Sequence, residues 1–184
     1  MCIRDRVEVL LDPLTPVSRL AAPLPHGERI GDATTAADLR LAGAALSAAL
    51  ELGLAEAATD LAVAYAKERH QFGRPIGAFQ ALKHLMADMF VRAELARSAV
   101  YAAGVTLDDP SVGSVTRAVA SAKVTAGEAA LGNAKTCIQV HGGMGYTWEI
   151  DAHLLLKRAY VLEASFGTRD DWSDILADLV GAAG

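Results

Sequence analysis

The sequence predicts an all-α protein, an antiparallel four-helix bundle preceded by a short extended segment. Three observations predict it. Apolar residues recur at three- and four-residue steps over four long stretches, glycine and proline punctuate the chain between those stretches, and four of the six prolines fall before Gly31. The chain has 184 residues, 52% hydrophobic and 21% charged, enough for one compact domain burying roughly 70% of its extended-chain surface. Such a composition excludes a disordered chain. With 17 Lys plus Arg against 22 Asp plus Glu and no basic cluster, it also excludes a surface that tracks nucleic-acid phosphates.

Val7, Val9, Leu10 and Leu11 read as the end of a strand, and the turn residues from Asp12-Pro13 to Gly27 read as a linker. Residues 1–31 are thereby set apart from a helical region, 32–184. Thr35 followed by Asp38 resembles a capping box, and Leu39, Ala42, Leu46, Ala49, Leu50, Ala57, Leu61 and Tyr65 continue an apolar stripe. Gly73, Pro75 and Gly77 stop this first helix, and a second begins near Ala78, with Gly104 offering its stop. Asp109-Pro110 is an N-cap and first-turn proline for a third, which ends at Gly142, Gly143 and Gly145. Thr147 can cap a fourth, running to Gly167, and a short amphipathic tail covers Trp172 to Val180. Glu51, Glu56 and Asp60 interrupt the most apolar stretch, so no membrane span is expected. Cys2 and Cys137 have no CxxC neighbour, the five histidines form no cluster, and no secretory signal is evident. No metal site is expected, and the expected compartment is the reducing cytoplasm.

Two segments could carry chemistry. Arg69-His70-Gln71-Phe72-Gly73-Arg74-Pro75-Ile76-Gly77-Ala78-Phe79-Gln80 places a guanidinium, amides and aromatic walls around a glycine-bearing turn, a set suited to an anionic or planar ligand. Gln139-Val140-His141-Gly142-Gly143-Met144-Gly145-Tyr146 ends a helix with glycines that let a ligand approach the backbone. On spacing alone, ordinary helix-helix connections account for both.

Taken together and in this order, the two segments resemble the acyl-CoA dehydrogenase family. RHQFGRPIGAFQALKHLMADM is similar to that family's Arg-x-Gln-Phe-Gly-x-Pro-Ile stretch, and QVHGGMGYTWE to its Gln-x-x-Gly-Gly-x-Gly stretch. The resemblance covers roughly Thr34 to Thr168, and Val7 to Gly31 resembles the end of the family's middle β-domain. It implies the C-terminal helical domain of an FAD flavoenzyme that removes two hydrogens across the Cα–Cβ bond of an acyl-CoA thioester. The implied partners are that acyl-CoA, an electron-transfer acceptor, and further subunits in a homo- or hetero-oligomer, a dimer or a tetramer.

Residue by residue, the resemblance implies that Arg69, Gln71 and Phe72 approach the FAD diphosphate and flavin, with Gln80 sharing the contact. Gln139, Gly142 and Gly143 would meet the adenine end of an FAD held by a neighbouring subunit, and Thr168 the flavin. The family's first domain and most of its second have no counterpart here, so the chain is expected to be a fragment, with Met1 to Arg6 an artefactual start. The family's catalytic glutamate stands at one of two places, which correspond here to Phe166 and Gly43. Neither can accept a proton. Glu163, one turn from Phe166, and Asp38, early in the first helix, could serve only through a shifted register. The alternative reading is a non-catalytic helical assembly subunit of a mixed-subunit dehydrogenase.

Overall fold

A computed structural model describes residues 4–6, 10–20 and 27–182. Strands β1 (Arg4–Arg6) and β2 (Ser18–Leu20) pair antiparallel, Arg4 opposite Leu20. Five helices follow: α1 (Ala33–Glu68), α2 (Gln80–Asp108), α3 (Val115–His141), α4 (Ala152–Glu163) and α5 (Arg169–Gly181). Between α1 and α2 lies a hairpin of β3 (His70–Gln71) and β4 (Arg74–Pro75). The expected bundle is present, with α3 at its centre against α1, α2, α4 and α5.

The strand expected at Val7 to Leu11 is corrected in part. Residues 7–9 lie outside the described residues, and Leu10 and Leu11 are not strand. The chain turns there because the Asp12 carboxylate accepts from the Leu14 N–H at 3.0 Å and the Thr15 hydroxyl at 2.5 Å. Arg158 of α4 pairs with buried Asp12. Burial pushes the Asp12 carboxyl up, but the Thr15 and Leu14 bonds and the Arg158 charge outweigh it and hold it below the ordinary range.

Helix starts also differ from the sequence reading, because each cap lies elsewhere. Asp32, not Thr35, is the N-cap of α1: its carboxylate accepts from Thr35 N while the Thr35 hydroxyl accepts from Asp32 N. Asp109-Pro110 opens only a 3-10 turn, Pro110–Val112, and Ser114 caps α3. Thr147 does not cap α4, which starts at Ala152; it closes the 3-10 turn Gly142–Tyr146, its hydroxyl donating to the Met144 carbonyl. Gly104 does not stop α2, which continues to Asp108.

The apolar stripe of α1 is out of phase with its buried face. Ala44, Ala48, Ala55, Ala58, Ala62 and Ala66 are inside, whereas Leu39, Leu46 and Leu50 are 64%, 68% and 57% exposed. Alanine wins the interior because α3 presents its own small residues, Ala122, Ala126, Gly127 and Ala130, and the backbones close on each other. By length and composition α1 could cross a membrane; here it is the core helix of a bundle, with Glu51 buried in it. A buried methyl contributes only about 0.8 kcal/mol, against about 1.5–3 for a leucine side chain, so polar ties between helices carry more of the specificity.

Asn133 is one such tie. Its amide N–H groups donate to the Ala55 carbonyl, the Thr59 hydroxyl and the Met89 carbonyl at 3.2, 3.1 and 2.8 Å, and its oxygen accepts from Arg92 Nε at 2.8 Å. It links α1, α2 and α3 with no side-chain polar atom left over. Asn133→Ala is expected to cost about 2–4 kcal/mol through lost bonds and an alanine-walled void, read as a lower urea midpoint. A change below about 0.5 kcal/mol would show that the tie is dispensable.

Candidate functional site

The first wall of the site is the segment where α1 ends. Arg69 leaves the helix with its N–H still on the Tyr65 carbonyl and its own carbonyl accepting from Ile76 N at 2.7 Å. Between them the chain reverses over Phe72 and Gly73, at φ 52° and 75°, the positive-φ pair that a two-residue hairpin requires. Buried Ile76 anchors the hairpin, and Gly77 has no room for a side chain, since a Cβ would lie 2.9 Å from the Ala66 carbonyl oxygen. Phe79 holds the tip: the Arg74 guanidinium lies 4.2 Å over its ring, and Phe72 meets it edge-on at 6.1 Å.

The second wall is the end of α3. Gly142, at φ 62°, breaks the helix, and Gly145 brings the next turn so close that a Cβ would be 2.7 Å from the Ile138 carbonyl oxygen. Side chains added at Gly142 or Gly143 would meet nothing within 4 Å, so their backbone faces open space.

Between the walls is a cavity of about 650 Å³. It gathers Arg69, Gln71 and Phe72 from one segment and Gln139, Gly142 and Gly143 from the other, although some seventy residues separate them in sequence. Gln80 and Thr168 do not line it. The Gln80 amide is 3.2 Å from His84 Nε2 on the first turn of α2, and Thr168 caps α5 in a reciprocal box with Asp171. The cavity also takes in Tyr65 and His141, whose rings stack at 4.2 Å, a pair the sequence reading passed over. Their signal was there: Tyr65 is one helical turn before Arg69, and His141 lies between Gln139 and Gly142.

Gly43 and Phe166 also come together. Phe166, at φ 59°, turns its ring onto α1 at Gly43, and a Cβ on Gly43 would collide with the ring at Cδ1 and Cε1. Arg40 fixes the loop by donating from Nε to the Phe166 carbonyl at 3.3 Å while its guanidinium lies 4.9 Å over Trp172. Glu163 points elsewhere: its Oε1 accepts from the Arg169 N–H at the start of α5, at 3.1 Å. Asp38 lies on the exposed first turns of α1. Glu51, two turns along α1 from Gly43, is fully buried against Lys123 and out of reach of any ligand.

Comparison with known proteins decides the family. Residues 35–181 match the family model described as "Acyl-CoA dehydrogenase, C-terminal domain". The chain belongs to the acyl-CoA dehydrogenase family. Acyl-CoA dehydrogenase FadE34 of Mycobacterium tuberculosis is 41% identical over 178 residues, which cover 90% of this chain and 24% of that protein. The structure of butyryl-CoA dehydrogenase from Megasphaera elsdenii superposes with a TM-score of 0.84 at 27% identity, over 97% of this chain and 48% of that one. The ChsE4-ChsE5 complex of Mycobacterium tuberculosis gives 0.83 at 25% identity, over 97% and 49%. This acyl-CoA dehydrogenase chain therefore spans about a quarter of the length of FadE34 and about half of each solved relative.

Proposed function

We propose that this chain is the C-terminal helical domain of a longer FAD-dependent acyl-CoA dehydrogenase, contributing contacts to FAD and a subunit face but no α-proton base. The observation that carries the reading is the single cavity in which Arg69, Gln71, Phe72, Gln139, Gly142 and Gly143 meet. Those residues fit the cofactor. Among the described residues Arg69 has no carboxylate partner, so its guanidinium is available to a diphosphate. The amides of Gln71 and Gln139 offer donors and acceptors, Phe72 an apolar wall, and the open backbone of Gly142 and Gly143 a close approach. Gln80 and Thr168, at the first turns of α2 and α5, stand where helix N–H groups favour the same anionic or carbonyl oxygens. When bound, FAD supplies the acceptor for the hydride that leaves the β-carbon of the thioester.

For the subunit face we assign the groove between α1 and α2, about 700 Å³ and lined by Ala42, Leu46, Ala49, Val100, Tyr101 and Val105. The exposed leucine stripe of α1 runs into it.

A second reading, the non-catalytic subunit of a mixed-subunit dehydrogenase, is favoured by one observation. Both places expected for a base converge, and a phenylalanine ring fills the space. A structural relative, ChsE4-ChsE5, is itself a complex of two differently named chains. In this reading the flavin-motif residues serve packing and assembly, and the longer protein is expected to be multimeric but colourless.

The test is Arg69→Ala in the longer protein. Losing a charge-assisted bond to the diphosphate, worth about 1.5–3 kcal/mol, is expected to weaken FAD binding on the order of tenfold to a hundredfold. Melting of the flavin-free helices is expected to stay unchanged, because the Arg69 side chain ties no element to another. Undiminished flavin occupancy at limiting FAD would refute the reading.

A further inference from the structure

Resting on the FAD reading, we propose that His141 selects the nucleobase: its Nε2 accepts a hydrogen bond from the exocyclic amino group of adenine in the bound dinucleotide. His141 Nδ1 is 2.8 Å from the Cys137 carbonyl oxygen. A carbonyl can only accept, so Nδ1 carries the proton, and in the neutral ring Nε2 is left as an acceptor. The ring is 4% exposed, lines the cavity, and its Nε2 has no protein partner among the described residues.

The ring is also held in place. Tyr65 stacks on it at 4.2 Å and 26°, and the Tyr65 hydroxyl is turned to the Met144 sulfur at 4.0 Å. The imidazole therefore has one orientation, fixed by a carbonyl at one edge and an aromatic face above. Buried Cys137 adds nothing reactive, since burial pushes its thiol up to about 12.

The ligand chemistry follows from what surrounds that lone pair. Arg69, the C-cap residue four positions beyond Tyr65, lines the same cavity, so the cavity offers a cation for a diphosphate beside a ring platform with an acceptor. A flavin ring would bring a single N–H flanked by two carbonyl oxygens, which would face the Nε2 lone pair unfavourably. An amino-purine brings an NH₂ group. Adenine is the part of the dinucleotide that the geometry accepts, and its amino group is the donor that Nε2 lacks.

The longer protein, stripped of flavin, is titrated with FAD and with the same dinucleotide carrying unsubstituted purine in place of adenine, binding being read from flavin fluorescence. One hydrogen bond to an otherwise unpaired acceptor is expected to make FAD the tighter ligand on the order of tenfold. His141→Phe keeps an aromatic ring against Tyr65 but no acceptor. It is expected to bring the ratio near one by weakening FAD while leaving the purine dinucleotide as it was. Equal affinities in the unaltered protein would overturn the proposal without needing any variant to fold. A preference for FAD that survives in His141→Phe would overturn it as well. If the unaltered protein binds neither dinucleotide, the FAD reading itself falls and this inference with it.

Discussion

Lys123→Met is expected to destabilise the bundle by about 3–5 kcal/mol, the largest effect of any single substitution in its core. The Lys123 ammonium is 1% exposed and has all three of its donors used: Glu51 Oε1 at 2.5 Å, the Leu162 carbonyl at 2.7 Å and the Ser47 hydroxyl at 3.2 Å. Methionine would leave Glu51, 0% exposed and with Oε2 already unpartnered, as a carboxylate inside an alanine core. It would also remove the cation from the last carbonyls of α4, which lead into the loop that carries Phe166. The expected loss depends on pH. Burial raises the Glu51 carboxyl from 4.5 to about 7, while Lys123 pulls it down. Between those values the folded protein holds a proton that the unfolded chain does not, so stability falls as pH rises through that window. Removing Lys123 lets the carboxyl rise further and extends the window upward. The deficit of Lys123→Met is therefore expected to be larger at pH 8 than at pH 6. Denaturant unfolding at the two values checks this, and replacing Glu51 and Lys123 together by methionine is expected to recover most of the loss. A deficit independent of pH would mean that Glu51 is not the group left stranded.

The division into four main helices, the turn at Gly73 to Gly77 and the glycine stop after His141 were legible in the sequence because glycine and proline act locally, whereas the tail folds as a fifth helix, α5. Side-chain periodicity was less informative about α1. Its leucines form a regular stripe, yet the interior took the alanines, because which face is buried depends on how closely α3 approaches and not on hydrophobicity alone. Caps were misplaced for a similar reason: Asp32 and Ser114 are ordinary polar residues until the helix axis is set by packing. In the site, six of the eight residues implied by the resemblance line one cavity. Gln80 and Thr168 lie outside that cavity, at the starts of α2 and α5, with Thr168 bonded to Asp171 and Gln80 to His84. Glu51 and Lys123 are seventy-two residues apart, and no local pattern pairs them. The meeting of Gly43 with Phe166 needed the bundle too, since one is on α1 and the other follows α4.

That meeting makes testable the proposal that this chain contributes contacts to flavin but supplies no base for the α-proton. A positioned general base contributes on the order of 10²–10⁴-fold, and here its two expected positions are a glycine and the ring packed on it. Glu163, the nearest carboxylate in sequence, is bonded to the Arg169 N–H, and Glu163→Gln keeps an acceptor for that bond. The decisive measurement is the rate of acyl-CoA-dependent flavin bleaching by the longer protein, first alone, then with a second subunit that carries a carboxylate at either position. The expected result is bleaching on the order of 10²–10⁴-fold slower alone than in the mixture, and unaffected by Glu163→Gln. Full-rate bleaching by the lone protein, lost in Glu163→Gln, would contradict the account and make Glu163 the base.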